Sequence, residues 1–201
     1  MADRGRPRAF DRALALRCAM EVFWEHGFAG ASMSDLTAAM GINSPSLYAA
    51  FGGKEQLFRE AVDLYRETDG GYTERALSEQ PTARRSIEAM LRDNAAAYAD
   101  DTTPRGCMVV LAGSTYTTRN TAIRDFLIEK RGHTTDSVRA RLDRGVAAGE
   151  LPADTDTAEL ADFYVTVLFG LSVKARDGAE LPQLQRSIDR AMSAWPTEVR
   201  A

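Results

Sequence analysis

Cysteine, histidine and tryptophan are scarce in this chain, two of each among 201 residues. Cys18 and Cys107 cannot form a disulfide framework, and reducing surroundings argue against pairing them. His26 and His133 stand apart without a third ligand, so neither a metal centre nor a cofactor is expected; Glu129, one turn before His133, reads as a solvated partner. No apolar run approaches the roughly 20 residues that span a bilayer. The N-terminal "MADRGRPRAF" lacks the apolar segment of a secretory signal. The expected location is therefore the cytoplasm, with no membrane partner. Strand alternation is also missing outside "CMVVL", which fits a strand or a buried helix equally. Nucleophile–base pairs, phosphate loops and internal repeats are absent, so an enzyme is not expected.

What the chain does have is apolar content of 44% and charged content of 27%, ordinary for a protein that buries a real core. The net charge of -4 speaks against indiscriminate binding to nucleic acid. It leaves room for a local basic face, since phosphates meet a surface and not an average.

Helical periodicity runs through the chain. "DRALALRCAMEVFWEHGF" places Leu16, Ala19, Phe23 and Phe28 on one stripe, with Gly27 where a left-handed cap is wanted. Cys18 on this helix reads as packing. Ser32 and Asp35 resemble a capping box before Leu36, Ala39 and Met40, and Gly41 then turns the chain. The next helix starts at Asn43. Pro45 falls in its first turn, where a missing N–H removes nothing from the ladder. Leu47 and Phe51 face the core, Ser44, Ser46, Tyr48 and Ala49 face outward, and Gly52-Gly53 ends the run. Lys54 opens a longer helix with Leu57, Phe58, Ala61, Val62 and Tyr65. "TDGGYTERALSEQPT" reads as turn-rich. Further helices are expected over "ARRSIEAMLRDNAAAYA", "AIRDFLIEKRGHTTDSVRARLDRGVAAGEL", "TAELADFYVTVLFGLSVKAR" and "LPQLQRSIDRAMSAW".

Two short helices joined by a tight glycine turn make a helix-turn-helix, whose second helix can enter a major groove about 12 Å wide. Over "AMEVFWEHGFAGASMSDLTAAMGINSPSLYAAFGGKEQLF" the sequence resembles the TetR family of transcriptional regulators. Phe23, Gly27, Phe28, Leu36, Ala39, Gly41, Leu47, Tyr48, Phe51, Lys54, Leu57 and Phe58 fall at that family's spacings. The resemblance is specific over about the first 60 residues and weak beyond them. It implies an all-α chain: a basic arm over 1–10, a DNA-binding unit over 11–58, and a helical ligand-binding and dimerisation body over 59–201. It also implies a double-stranded DNA operator, a small-molecule effector and a homodimer. The expected function is a ligand-responsive regulator, a repressor released by its inducer. A thiol-based sensor acting through Cys107 is one alternative; a helical interaction module or enzyme is the other.

Position by position, the resemblance makes Tyr48 and Lys54 phosphate contacts, joined by Ser32 at a helix start. Ser44, Pro45, Ser46 and Ala49 then lie against the bases, and Asn43, where the helix starts, belongs to the same DNA-binding set. The chain departs from the family pattern at Ala49 and Ala50, where His and Tyr are frequent, and at Gly53, where Ser or Asp is usual. Arg4, Arg6 and Arg8 in "RGRP" and its flank form either a minor-groove arm or a basic tail. In the body, Cys107, Val110, Ser114, Thr115, Tyr116, Phe163 and Lys174 are expected to line a pocket or sense a ligand. Arg105 and Lys174 would favour the Cys107 thiolate. Val167, Phe169, Gly170, Val173, Leu184, Ile188 and Met192 are the expected subunit contact.

Overall fold

The computed structural model describes residues 10–112 and 120–196. Within them the chain forms α1 (Arg12–Gly30), α2 (Met33–Met40), α3 (Ser44–Phe51), α4 (Lys54–Glu67) and α5 (Tyr72–Glu79). These are followed by α6 (Ala83–Tyr98), α7 (Met108–Leu111), α8 (Thr121–Ala147), α9 (Thr157–Arg176) and α10 (Leu181–Met192). No strand occurs among the described residues. "MVVL" is a single buried helical turn with Cys107 as its N-cap residue.

The boundaries follow local chemistry. Asp11 accepts from the backbone N–H groups of Ala13 and Leu14 and starts α1. Ser32 and Asp35 satisfy each other's backbone N–H groups in a reciprocal capping box, which holds the Asp35 carboxyl below its usual range. Gly27 has φ 68° and ψ 172°, so α1 is kinked there and a last short turn runs on to Gly30. The turn-rich reading of residues 68–82 missed α5. Its flanking Gly70, Gly71 and Pro81 dominate the local signal, whereas Ala76 and Leu77 are buried in the body's core. Packing against α6 decides the conformation there, over a weak local preference.

Two clusters of buried side chains organise the fold. The body's core joins α6, α9 and α10 through Ile87, Met90, Leu91, Tyr164, Leu168, Leu184 and Ile188. The N-terminal core centres on Phe23, which packs edge-on against Phe58 at 5.1 Å, while Phe28 meets Phe58 at 5.2 Å. Each such ring contributes roughly 1.5–3 kcal/mol by burial. This second cluster continues into Met108, Val109, Ile123, Phe126 and Leu127. The N-terminal unit therefore shares its hydrophobic interior with α7 and α8.

Gly106 joins the two parts of the molecule. Its φ is +81°, and a Cβ there would stand 2.7 Å from the Ser172 carbonyl oxygen and 2.6 Å from a Leu111 methyl. Both the backbone conformation and the close approach exclude a side chain. Gly106→Ala is expected to lower stability by about 2 kcal/mol or more, read as a shifted urea midpoint at unchanged slope.

Candidate nucleic-acid interface

The helix α3 is eight residues long and punctuated at both ends. Asn43 caps its start by accepting from the Ser46 backbone N–H at 2.9 Å, and Pro45 lies in the first turn. At the other end Gly52 is left-handed and its N–H reaches the Tyr48 carbonyl. The preceding turn closes in the same way, with Gly41 left-handed and the Ile42 N–H donating to the Thr37 carbonyl at 3.1 Å. Leu47 and Phe51 are buried, at 0% and 2% exposure, which fixes the opposite face toward solvent. On that face Asn43, Ser44, Pro45, Tyr48 and Ala49 are exposed and Ser46 is half-buried.

Tyr48 is 56% exposed, and its ring lies against the backbone of Gly53. A Cβ at Gly53 would meet that ring at 3.4 Å, and the residue's φ is 133°. The ring contact and the backbone conformation together account for glycine at this position. The first turn of α4 consequently has no side-chain cap for its N–H groups.

Lys54 stands at that helix start. Partial burial lowers its pKa, and its Nζ sits 4.5 Å from the centre of the Phe28 ring. Among the described residues it has no carboxylate partner. A cation, a helix N-terminus without a side-chain cap and an exposed phenol thus lie together, with the exposed Ser32 at the start of α2, groups suited to phosphate oxygens. Arg4, Arg6 and Arg8 lie outside the described residues.

Sequence reading overlooked Arg12. Its guanidinium donates to the Ala50 carbonyl at 3.3 Å, pairs with Glu60 at 2.6 Å and lies 4.3 Å over the Phe51 ring. It thereby satisfies a carbonyl at the C-terminal end of α3 and ties three helices together. The partners lie 38 and 48 positions away, so no local pattern announces them.

A small cavity occurs in the body, with a volume of about 50 Å³. Tyr65, Asn94, Tyr98, Cys107, Val110 and Phe169 are among its lining residues. Burial pushes the Tyr65 and Tyr98 phenols well above their usual range, and the neighbouring Cys107 adds to the rise. Asn94 donates to the Thr73 hydroxyl at 3.1 Å. Cys107 and Val110 are thus brought together as expected of pocket residues, but Phe163 and Lys174 are not. Phe163 lines a separate open groove with Pro152, Leu160 and Pro196, and Lys174 is exposed on α9. Ser114, Thr115 and Tyr116 lie outside the described residues.

Two expectations need correction. Arg105 does not serve the thiol, because Asp101 at 2.9 Å and Glu180 at 3.2 Å engage its guanidinium. With Lys174 in solvent, neither of the two cations expected to activate Cys107 serves it, and the thiol-sensing alternative is not favoured. Leu184, Ile188 and Met192 are 0%, 0% and 5% exposed inside the chain's own core, so they are not available to a second subunit. The apolar face of α10 is already covered by α6 and α9. Phe163, Val167, Gly170 and Val173 instead form a stripe on the outer face of α9, with Phe163 40% and Val173 45% exposed. Phe169 turns inward to the cavity.

The fold and this face define a helix-turn-helix regulator that binds DNA. Residues 15–61 match the model of bacterial regulatory proteins of the tetR family, and residues 83–195 match that of the tetracyclin repressor-like C-terminal domain. The chain belongs to the TetR family. It is 34% identical over 202 residues to the transcriptional repressor ComR of Escherichia coli strain K12, covering 98% of this chain and 95% of ComR. A cysteine-substituted form of the TetR family regulator CifR, solved with 26-base-pair double-strand operator DNA, is 51% identical with a TM-score of 0.92. That match covers 95% of this chain and 100% of the other. A TetR regulator from Rhodococcus sp. RHA1 is 36% identical with a TM-score of 0.61, covering 92% and 99%.

The cap at α3 can be tested separately from binding. Asn43→Ala is expected to cost about 1 kcal/mol in urea unfolding, whereas Asn43→Asp, which keeps the acceptor, should stay within a few tenths.

Proposed function

We propose that this chain is a homodimeric repressor that binds a near-palindromic operator through α3 and leaves it when a small molecule enters the body. The carrying observation is the outward face of α3, exposed between two caps and flanked by Tyr48 and Lys54. Ser44, Pro45, Ser46 and Ala49 face the bases; Asn43 sets the helix start; Tyr48, Lys54 and Ser32 hold phosphates. Small side chains here can pack on a thymine methyl but cannot make the bidentate bonds that read purines. The basic arm, Arg4, Arg6 and Arg8, adds minor-groove contacts. Support comes from CifR, whose structure contains operator DNA, and from ComR, which is a repressor.

Two subunits joined along the outer face of α9 put two reading heads about 34–36 Å apart, one turn of DNA. The unit over 11–58 reads DNA, and the region over 59–201 carries effector and subunit contacts. The protein acts in the cytoplasm, where its DNA is; among the described residues no helix is long and apolar enough to cross a membrane. The cavity bordered by Tyr65, Asn94 and Tyr98 is the effector site. Its lining joins hydroxyl and amide groups to the charged Arg66, Glu74, Lys130 and Arg131, which suits a small molecule with a polar, hydrogen-bonding end.

Fluorescence anisotropy on the chain's own upstream DNA, measured across a salt series, tests the assignment. Lys54→Gln should weaken binding and reduce the salt slope by about one per reading head. Tyr48→Ala should weaken binding by about tenfold at unchanged thermal stability. Unaltered binding in both variants would remove α3 and α4 as the DNA face.

A further inference from the structure

A ring of contacts runs from the cavity wall to α1. The Trp24 indole, 5% exposed, donates to the Gly106 carbonyl at 2.9 Å. The adjoining Cys107 backbone N–H donates to the Ser172 hydroxyl on α9 at 2.8 Å. One turn further along α9, Arg176 donates from a single nitrogen to the Trp24 and Glu25 carbonyls, both at 2.8 Å. Its other terminal nitrogen pairs with the Glu25 carboxylate at 3.1 Å. The circuit is closed: α1, the 106–107 loop, α9 and α1 again.

Each corner has a reason to be stiff. Gly106 touches Ser172 too closely for even a methyl group to be added. Arg176 binds carbonyls just ahead of the Gly27 kink, where a helical run ends and its acceptors need partners from outside. A planar guanidinium suits this task, since it presents several donors in fixed directions. On its cavity side the ring carries Cys107, followed by Val109 and Val110. On its far side Trp24 adjoins Phe23, the centre of the DNA-reading unit's core.

We propose that Arg176 is the positioning residue that carries the state of the cavity to the reading head, by tying the carbonyl end of α1 to the helix that holds the cavity wall. This rests on reading the cavity as the effector site. A molecule that pushes the 107–110 wall outward strains the Ser172 bond, and α9 and α1 cannot both keep their places while Arg176 spans them. The same helix carries the outward stripe of Phe163, Val167, Gly170 and Val173, so the tie also sets α1 against the proposed subunit contact. Arg176 acts in parallel with α4, which runs unbroken from Lys54 to the cavity residue Tyr65.

The test uses the full chain, a labelled duplex of its own upstream DNA, and Val110→Trp as a permanent occupant of the cavity. Val110→Trp alone should weaken DNA binding by about tenfold or more. In an Arg176→Met background the same substitution should cost less than about threefold, because the tie is already cut. Arg176→Gln, whose amide is too short to reach the two carbonyls, should behave similarly and decides the matter if the methionine variant does not fold. Glu25→Gln leaves both carbonyl bonds and should preserve the full effect of Val110→Trp. An equal loss from Val110→Trp in all backgrounds would overturn the role of Arg176 while leaving the effector cavity standing. If Val110→Trp has no effect in the otherwise native chain, the cavity reading itself falls, and the proposal with it.

Discussion

The direction in which α3 points depends on burying two side chains, Leu47 and Phe51, one turn apart on a helix of only eight residues. So short a helix has little stability of its own in water. Its orientation comes from those two anchors, from the caps at Asn43 and Gly52, and from Arg12 at its last turn. Everything proposed about DNA follows from that constraint. With Leu47 and Phe51 held inside, Ser44 and Tyr48 are left at the border of that buried stripe and Ala49 beyond it, and all three are exposed.

An acidic chain that binds a polyanion needs its cations placed and not merely present. Several arginines among the described residues are engaged by carboxylates: Arg17 by Asp69, Arg92 by Asp189, Arg105 by Asp101 and Glu180. Lys54 differs, being half-buried and set against an aromatic face. Burial disfavours its charge, so an arriving phosphate restores what desolvation removed. The uncapped N-terminus of α4 works in the same direction. The region is thereby prepared for an anion at little conformational cost, and salt dependence should be local to it.

Local chemistry made the reading unit legible. Capping residues, proline in a first turn, paired glycines and apolar residues at helical spacing each act within a few positions, and these define α1 to α4. The family resemblance covers the same stretch. Legibility fell where tertiary neighbours decide. The helix α5 sits between Gly71 and Pro81 and forms because Ala76 and Leu77 are buried in the body's core. The amphipathic pattern of α10 announced an apolar face but could not say what covers it; the chain's own α6 and α9 do. Arg12 and Arg176 carry no motif, and their partners are 38 to 152 positions away. Arg105 looked available to Cys107 because it is two residues distant, yet three-dimensional proximity to Glu180 claimed it.

These long-range ties bear on how a small cavity could govern a distant surface. At about 50 Å³ the cavity lies far below the roughly 300–1,000 Å³ of a drug-sized pocket, so the proposed effector would favour a more open form of the body. Only the difference in its affinity for the two forms does work on the equilibrium. A coupling of about 1–3 kcal/mol is enough for regulation, comparable to breaking one or two charge-assisted hydrogen bonds. The chain holds such bonds where α9 meets α1, and the cavity wall leans on the same two helices. Because close-packed cores rearrange between discrete arrangements and do not stretch smoothly, opening the wall by a fraction of an ångström is either absorbed at the Arg176 tie or passed on. Gly106 leaves no slack for absorption, since its backbone already touches α9. On the proposed coupling, movement of the wall then appears in α1, and through the packed Phe23 and Phe58 in the helices proposed to face the DNA.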